Sequence, residues 1–114
     1  MEIPEGISPE VFKKVHAEYI ASIPELVRTI KMACENLKKD WNEQNLTELR
    51  MIVHKIAGNA STFGFIQVTR ICKSWDAELT GILKNFSTQK VDSQFFVKND
   101  QLATEVAKEF QNER

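Results

Sequence analysis

A strong excess of charge of either sign is missing from this chain. Fifteen basic residues stand against sixteen acidic ones, for a formal net charge of −1. That removes the simplest argument for nucleic-acid binding, which needs a basic surface to neutralise phosphates. No apolar run approaches the ~20 residues that span a bilayer, so no membrane partner is expected. The opening residues, Met1-Glu2-Ile3-Pro4-Glu5-Gly6, are acidic and broken by proline and glycine, unlike a basic-then-apolar leader. Cysteine is scarce. Cys34 and Cys72 both fall among apolar positions and suit reduced thiols in a cytoplasmic core, although spacing alone leaves a disulfide open. Convincing strand signals, internal repeats and low-complexity tracts are missing as well.

What is present is helical periodicity throughout a chain of 114 residues, enough for one domain (1–114) with one hydrophobic core. Ser8-Pro9-Glu10 is a start signal, with serine at the cap and proline in the first turn. Phe12, Val15, Tyr19 and Ile23 then recur at helical spacing. Pro24 is expected to end or kink this segment, and Leu26, Ile30, Ala33, Cys34 and Leu37 continue in a second. Asn45, with Glu48 three residues on, reads as a capping-box variant that opens a third helix, and Gly64 as its stop. Val68, Ile71, Cys72, Trp75, Leu79 and Ile82 mark a fourth, and Phe95, Leu102, Val106 and Phe110 a fifth. Short links favour antiparallel neighbours, so the expected fold is an all-α antiparallel bundle: a four-helix core with an additional N-terminal helix.

The third segment carries the most informative residues. At ~100° per residue, Leu49, Ile52, Ile56, Ala60 and Phe63 share one sector, with Val53 at its edge. His54 projects roughly opposite that sector, and on its side lie Thr47, Arg50, Met51, Gly58, Ser61 and, if the helical path continues past Gly64, Phe65. Gly58 costs about 1 kcal/mol relative to alanine in a helix interior, and clearance beside His54 is a reason to tolerate it. An outward imidazole next to a position without a side chain is a poor core element. It is a good nucleophile to offer another protein.

The stretch His54-Lys55-Ile56-Ala57-Gly58, then Asn59-Ala60-Ser61 and Phe63-Gly64-Phe65, resembles the signature of the histidine-containing phosphotransfer (HPt) domains. The pair Trp75-Asp76 in the fourth segment also looks like the family. The likeness covers essentially the whole chain, and the dozen residues around His54 carry its specificity. It implies a helical bundle that accepts a phosphoryl group on His54, at Nε2, from a receiver-domain aspartate and passes it to another receiver. The partners implied are response-regulator receiver domains and a hybrid histidine kinase. The receiver is expected to supply Mg²⁺ and most catalytic groups, with no cofactor or metal bound by this chain, which makes it a carrier rather than an enzyme. A cytoplasmic monomer is expected.

A free imidazole, with a pKa near ~6.5, is largely neutral near pH 7 and keeps one lone pair for attack. Catalysis of phosphoryl transfer is mostly positioning and neutralisation of charge. Many members of the family carry lysine three residues after the histidine, where this chain has Ala57. Arg50 and Lys55 are the candidate phosphate neighbours; Arg50 shares the face of His54, and Lys55 points roughly 100° away. Met51, Gly58, Ser61 and Phe65 are the candidate docking residues. His16 has no second histidine nearby to form a metal site. Trp41 and Trp75 read as packing residues, and Lys38-Lys39-Asp40 as a solvated helix end. Two other readings fit the residues. One is the same bundle used as a binding or inhibitory adaptor without phosphotransfer. In the other the interaction face lies elsewhere and the motif is fortuitous, a reading that burial of the His54 ring would support.

Overall fold

The computed structural model describes Ile3 and residues 5–114. Four helices follow one another: α1 (Pro9–Lys39), α2 (Glu43–Thr62), α3 (Ile66–Lys84) and α4 (Ser93–Asn112). Contacts join α1 to α2, α2 to α3, α3 to α4 and α4 back to α1, so the helices form a ring around one core. The expected antiparallel bundle is therefore present, with four helices in place of five.

The difference lies at Pro24, which does not end its segment. The α1 helix begins at Ser8, whose Oγ accepts the Val11 N–H at 3.2 Å, and runs through Pro24 to Lys39. A mid-helix proline removes one backbone bond and costs about 3 kcal/mol. Pro24 is exposed, so the carbonyl left unpaired one turn back can face water. Ile23 and Ile30, both buried, hold the two halves on one stripe. Burial of large aliphatic side chains contributes about 1.5–3 kcal/mol each, which outweighs the missing bond.

The start of α2 also differs from the sequence expectation. Its cap is Asn42, whose Oδ1 accepts the Asn45 N–H at 2.7 Å. The Asn45 side chain instead closes the end of α1, donating to the Asp40 and Asn36 carbonyls at 2.9 and 3.3 Å. The stop at Gly64 is as expected. Gly64 adopts φ +80°, which lets Phe65 N–H reach Ala60 O at 3.0 Å and Gly64 N–H reach Ser61 O at 3.3 Å. This paired closure turns the chain straight into α3. The first N–H groups of α3 find a remote partner: Glu113 Oε1 accepts from Gln67 and Val68 at 2.8 and 3.1 Å.

Leu46, Leu49, Val53, Val68, Leu79 and Val106 are fully enclosed at the centre. Asn99 is the buried polar residue among those described; its Oδ1 accepts the Trp75 indole N–H at 3.0 Å. Cys34 and Cys72 are both free and buried, and burial pushes each thiol up to about 12. Trp41 stacks on Phe86 at 5.3 Å between ring centroids, closing one end of the bundle. Lys38 is not merely solvated: it bridges Glu35 and Asp100, at 3.1 and 2.8 Å, and so ties α1 to α4.

Candidate functional site

The tight turn at Gly64 lays α2 and α3 side by side, and the site lies on the outer edge of their seam. Leu46, Leu49, Val53, Ile56, Ala57 and Ala60 are the buried face of α2, while Ile52 and Phe63 are only half-buried. The core stripe is thus rotated toward Val53 and Ala57 relative to the sector read from the sequence. On a helical wheel His54 stands about 110° from the centre of that stripe, on the flank beside α3. Its side chain is 63% exposed. Burial of the ring would have supported a fortuitous motif; the ring is in solvent instead.

Across the seam, Asp76 of α3 meets it. Asp76 Oδ2 lies 2.8 Å from His54 Nδ1, Arg50 Nε donates to Oδ1 at 3.2 Å, and Thr80 Oγ1–H donates to the same oxygen at 3.3 Å. Burial alone raises the Asp76 carboxyl, but the hydrogen bonds and charges of His54 and Arg50 outweigh it and hold the group below the usual carboxylate range. An ionised carboxylate only accepts, so Nδ1 carries the proton in this contact. In the neutral ring the lone pair is therefore on Nε2, the nitrogen turned away from Asp76. The arrangement can present one nucleophilic nitrogen of fixed tautomer. It can also balance positive charge that develops on the ring.

The sequence singled out Trp75-Asp76 as a pair but assigned Asp76 no role in the site. The signal available was an acidic residue one turn from buried Cys72 and Leu79, on the edge of the α3 stripe. Which residue of α2 it meets depends on the register of the hairpin, which no local pattern encodes.

The other expected residues divide. Arg50 is brought to His54 through Asp76. Lys55 is exposed on the outward face of α2 and is not in this network. Met51 is 59% exposed and, with Thr47, Ile52 and Lys55, lines a shallow groove one turn from His54. Gly58 and Ser61 are exposed, and a Cβ built at Gly58 meets nothing within 4 Å. Phe65 needs correction as a docking residue. It is 2% exposed, packed on Phe110 and Tyr19 at centroid distances of 5.2 and 6.0 Å, because the turn at Gly64 swings it inward. Ile66, its neighbour, is 71% exposed instead. His16 stacks on Phe12 at 6.1 Å and lies 5.7 Å from Phe63, a packing position remote in sequence from Asp76 and Arg50.

No helix among the described residues is long and apolar enough to cross a membrane. No curated protein and no solved structure matches the chain. A family model does: the Hpt domain matches residues 14–109. Hpt domains are phosphocarrier modules of two-component systems that interact with receiver domains. The four-helix ring, the exposed histidine and this match over most of the sequence lead to one statement: the chain belongs to the Hpt domain family.

Proposed function

We propose that His54 accepts a phosphoryl group from the aspartyl phosphate of one receiver domain and gives it to the aspartate of another. The observation that carries this reading is the contact of an exposed His54 with Asp76, 2.8 Å from Nδ1, which leaves Nε2 free. In the forward step the Nε2 lone pair attacks phosphorus, and the bond from phosphorus to the aspartyl oxygen breaks, returning a carboxylate to the receiver. The Nδ1 proton stays in place, so the phosphorylated ring is an imidazolium whose charge faces the Asp76 carboxylate. The reverse step follows the same path. Both the mixed anhydride and the phosphoramidate hold the group at high transfer potential, which suits a relay.

In this reading the receiver supplies Mg²⁺ and most catalytic groups, while this chain supplies a placed nucleophile and a docking face. Met51 and Ile66 are exposed apolar residues that suit contact with a partner, and Gly58 leaves room for it to approach. A hybrid histidine kinase whose own receiver is the donor fits upstream, a separate response regulator downstream, and the chain acts as a monomer.

The test is phosphoryl transfer from a panel of labelled receiver domains to the wild type and to His54→Gln and His16→Gln variants. Acid-labile label that disappears only in His54→Gln is the expected result. A receiver that binds stoichiometrically yet transfers to no variant, wild type included, would replace the carrier with the adaptor.

A further inference from the structure

A phosphoryl group on Nε2 adds negative charge at a point where the described side chains place no obvious cation. Arg50 is oriented by Asp76 on the Nδ1 side of the ring, away from the nitrogen that reacts. Lys55 leaves α2 about 100° around the helix from His54. Ala57, at the position where many Hpt domains carry lysine, is 5% exposed and has no charge to offer.

We propose that Lys73 of α3 is the cation that meets the phosphoryl oxygens on His54, an inference that rests on the carrier reading above. Lys73 lies three residues before Asp76, which puts both on one face of α3. Asp76 faces α2 across the seam, so Lys73 rises on the same side, at its outer edge. The level along the seam follows from the hairpin. Helices α2 and α3 run antiparallel from the turn at Gly64, and Lys73 and His54 are nearly equidistant from that glycine along the chain. At ~1.5 Å of rise per residue the two sit at closely similar heights. Side chains lean toward the N-terminus of their own helix, which for Lys73 is toward Gly58 and for His54 is toward Arg50. The two side chains thus lean apart along the seam. It is the length of the lysine stem, over the part of α2 where Gly58 has no side chain and a Cβ would meet nothing within 4 Å, that brings the ammonium to a phosphoryl group on Nε2.

Lys73 is also free to act. It is exposed and forms no ion pair among the described residues, whereas Lys38 and Lys98 are each engaged with carboxylates. Asp76 is already occupied by His54 and Arg50, with Thr80 on the same oxygen. A flexible four-carbon stem with a compact ammonium suits a group that arrives and leaves with each transfer.

Phosphohistidine NMR tests this. Wild type, Lys73→Ala, Lys73→Arg, Lys55→Ala and His54→Gln are phosphorylated with potassium phosphoramidate, and the phosphorus-31 shift is titrated against pH. A cation about 5 Å away through water lowers the midpoint of the phosphoryl group's last ionisation by about half a pH unit. Lys73→Ala should raise that midpoint by this amount, with Lys73→Arg restoring it and Lys55→Ala leaving it in place. A His54-dependent signal whose midpoint is the same in wild type and Lys73→Ala would overturn the role of Lys73 alone, as would displacement by Lys55→Ala instead. A wild type that yields no signal missing from His54→Gln would count against the carrier reading itself.

Discussion

Replacing Asp76 by asparagine keeps the shape of the side chain and removes its charge. The contact it alters is the 2.8 Å hydrogen bond from His54 Nδ1–H, and the Arg50 and Thr80 bonds at 3.2 and 3.3 Å lose their ionised acceptor. A hydrogen bond to a charged group contributes ~1.5–3 kcal/mol net. The His54 side chain is 63% exposed, so solvent screening favours the low end of that range. About 1.4 kcal/mol corresponds to roughly tenfold in rate when the interaction strengthens in the transition state. It does strengthen here, because the ring becomes an imidazolium as phosphorus transfers. Asparagine can also turn its amide N–H toward Nδ1, which moves the ring proton to Nε2 and blocks the nucleophile. Transfer from a phosphorylated receiver to Asp76→Asn should therefore slow about tenfold or more, followed by rapid-quench gel assay at saturating chain. Circular dichroism melting checks that the bundle is intact. A rate within about twofold of wild type, with His54→Gln inactive, would refute the positioning argument. The same contact has a pH signature. The folded Asp76 carboxyl is depressed below its unfolded value, so its stabilisation is complete above about pH 4. It is lost as pH falls through the depressed value, and the melting difference between wild type and Asp76→Asn should close there.

Phe65 and Ile66 should behave oppositely. Phe65→Ala should destabilise the fold by about 3–4 kcal/mol in urea titration. Ile66→Glu should leave stability within about 0.5 kcal/mol and weaken binding of the partner receiver, measured by calorimetry. Gly58→Ala should stabilise the chain by about 1 kcal/mol, since nothing lies within 4 Å of the added Cβ. Gly58→Phe should fold as well yet slow transfer from the receiver. Burial holds both cysteine thiols up to about 12, so neither should react with a disulfide reagent at pH 8 in the folded chain, and both should react in urea.

Much of this molecule is written in local pattern. Apolar residues at helical spacing mark the inner faces of the helices, since a helix fixes which residues share a face, although packing turned the stripe of α2 toward Val53 and Ala57. The stop at Gly64 was equally legible, because only a left-handed residue closes α2 in that way. So was the exposure of His54, one turn from a glycine and off the apolar stripe. Other features needed the assembled bundle. Pro24 stays helical because α1 buries residues on both sides of it, Phe12 and Ile23 before and Ile30 and Leu37 after, a gain that no propensity includes. Glu113 caps α3 from the far end of the chain, and Asn45 caps α1 rather than α2. Phe65 is buried and Ile66 exposed because the turn, not the periodicity of either helix, sets which one points inward. The partner of His54 is the clearest case. The sequence by itself determined that a histidine with an open flank stands on a helix, because that depends on neighbours within one or two turns. Only the tertiary structure decided that Asp76, 22 residues away, holds its Nδ1 and leaves Nε2 to react, because that contact exists only where the register of two packed helices brings the atoms together.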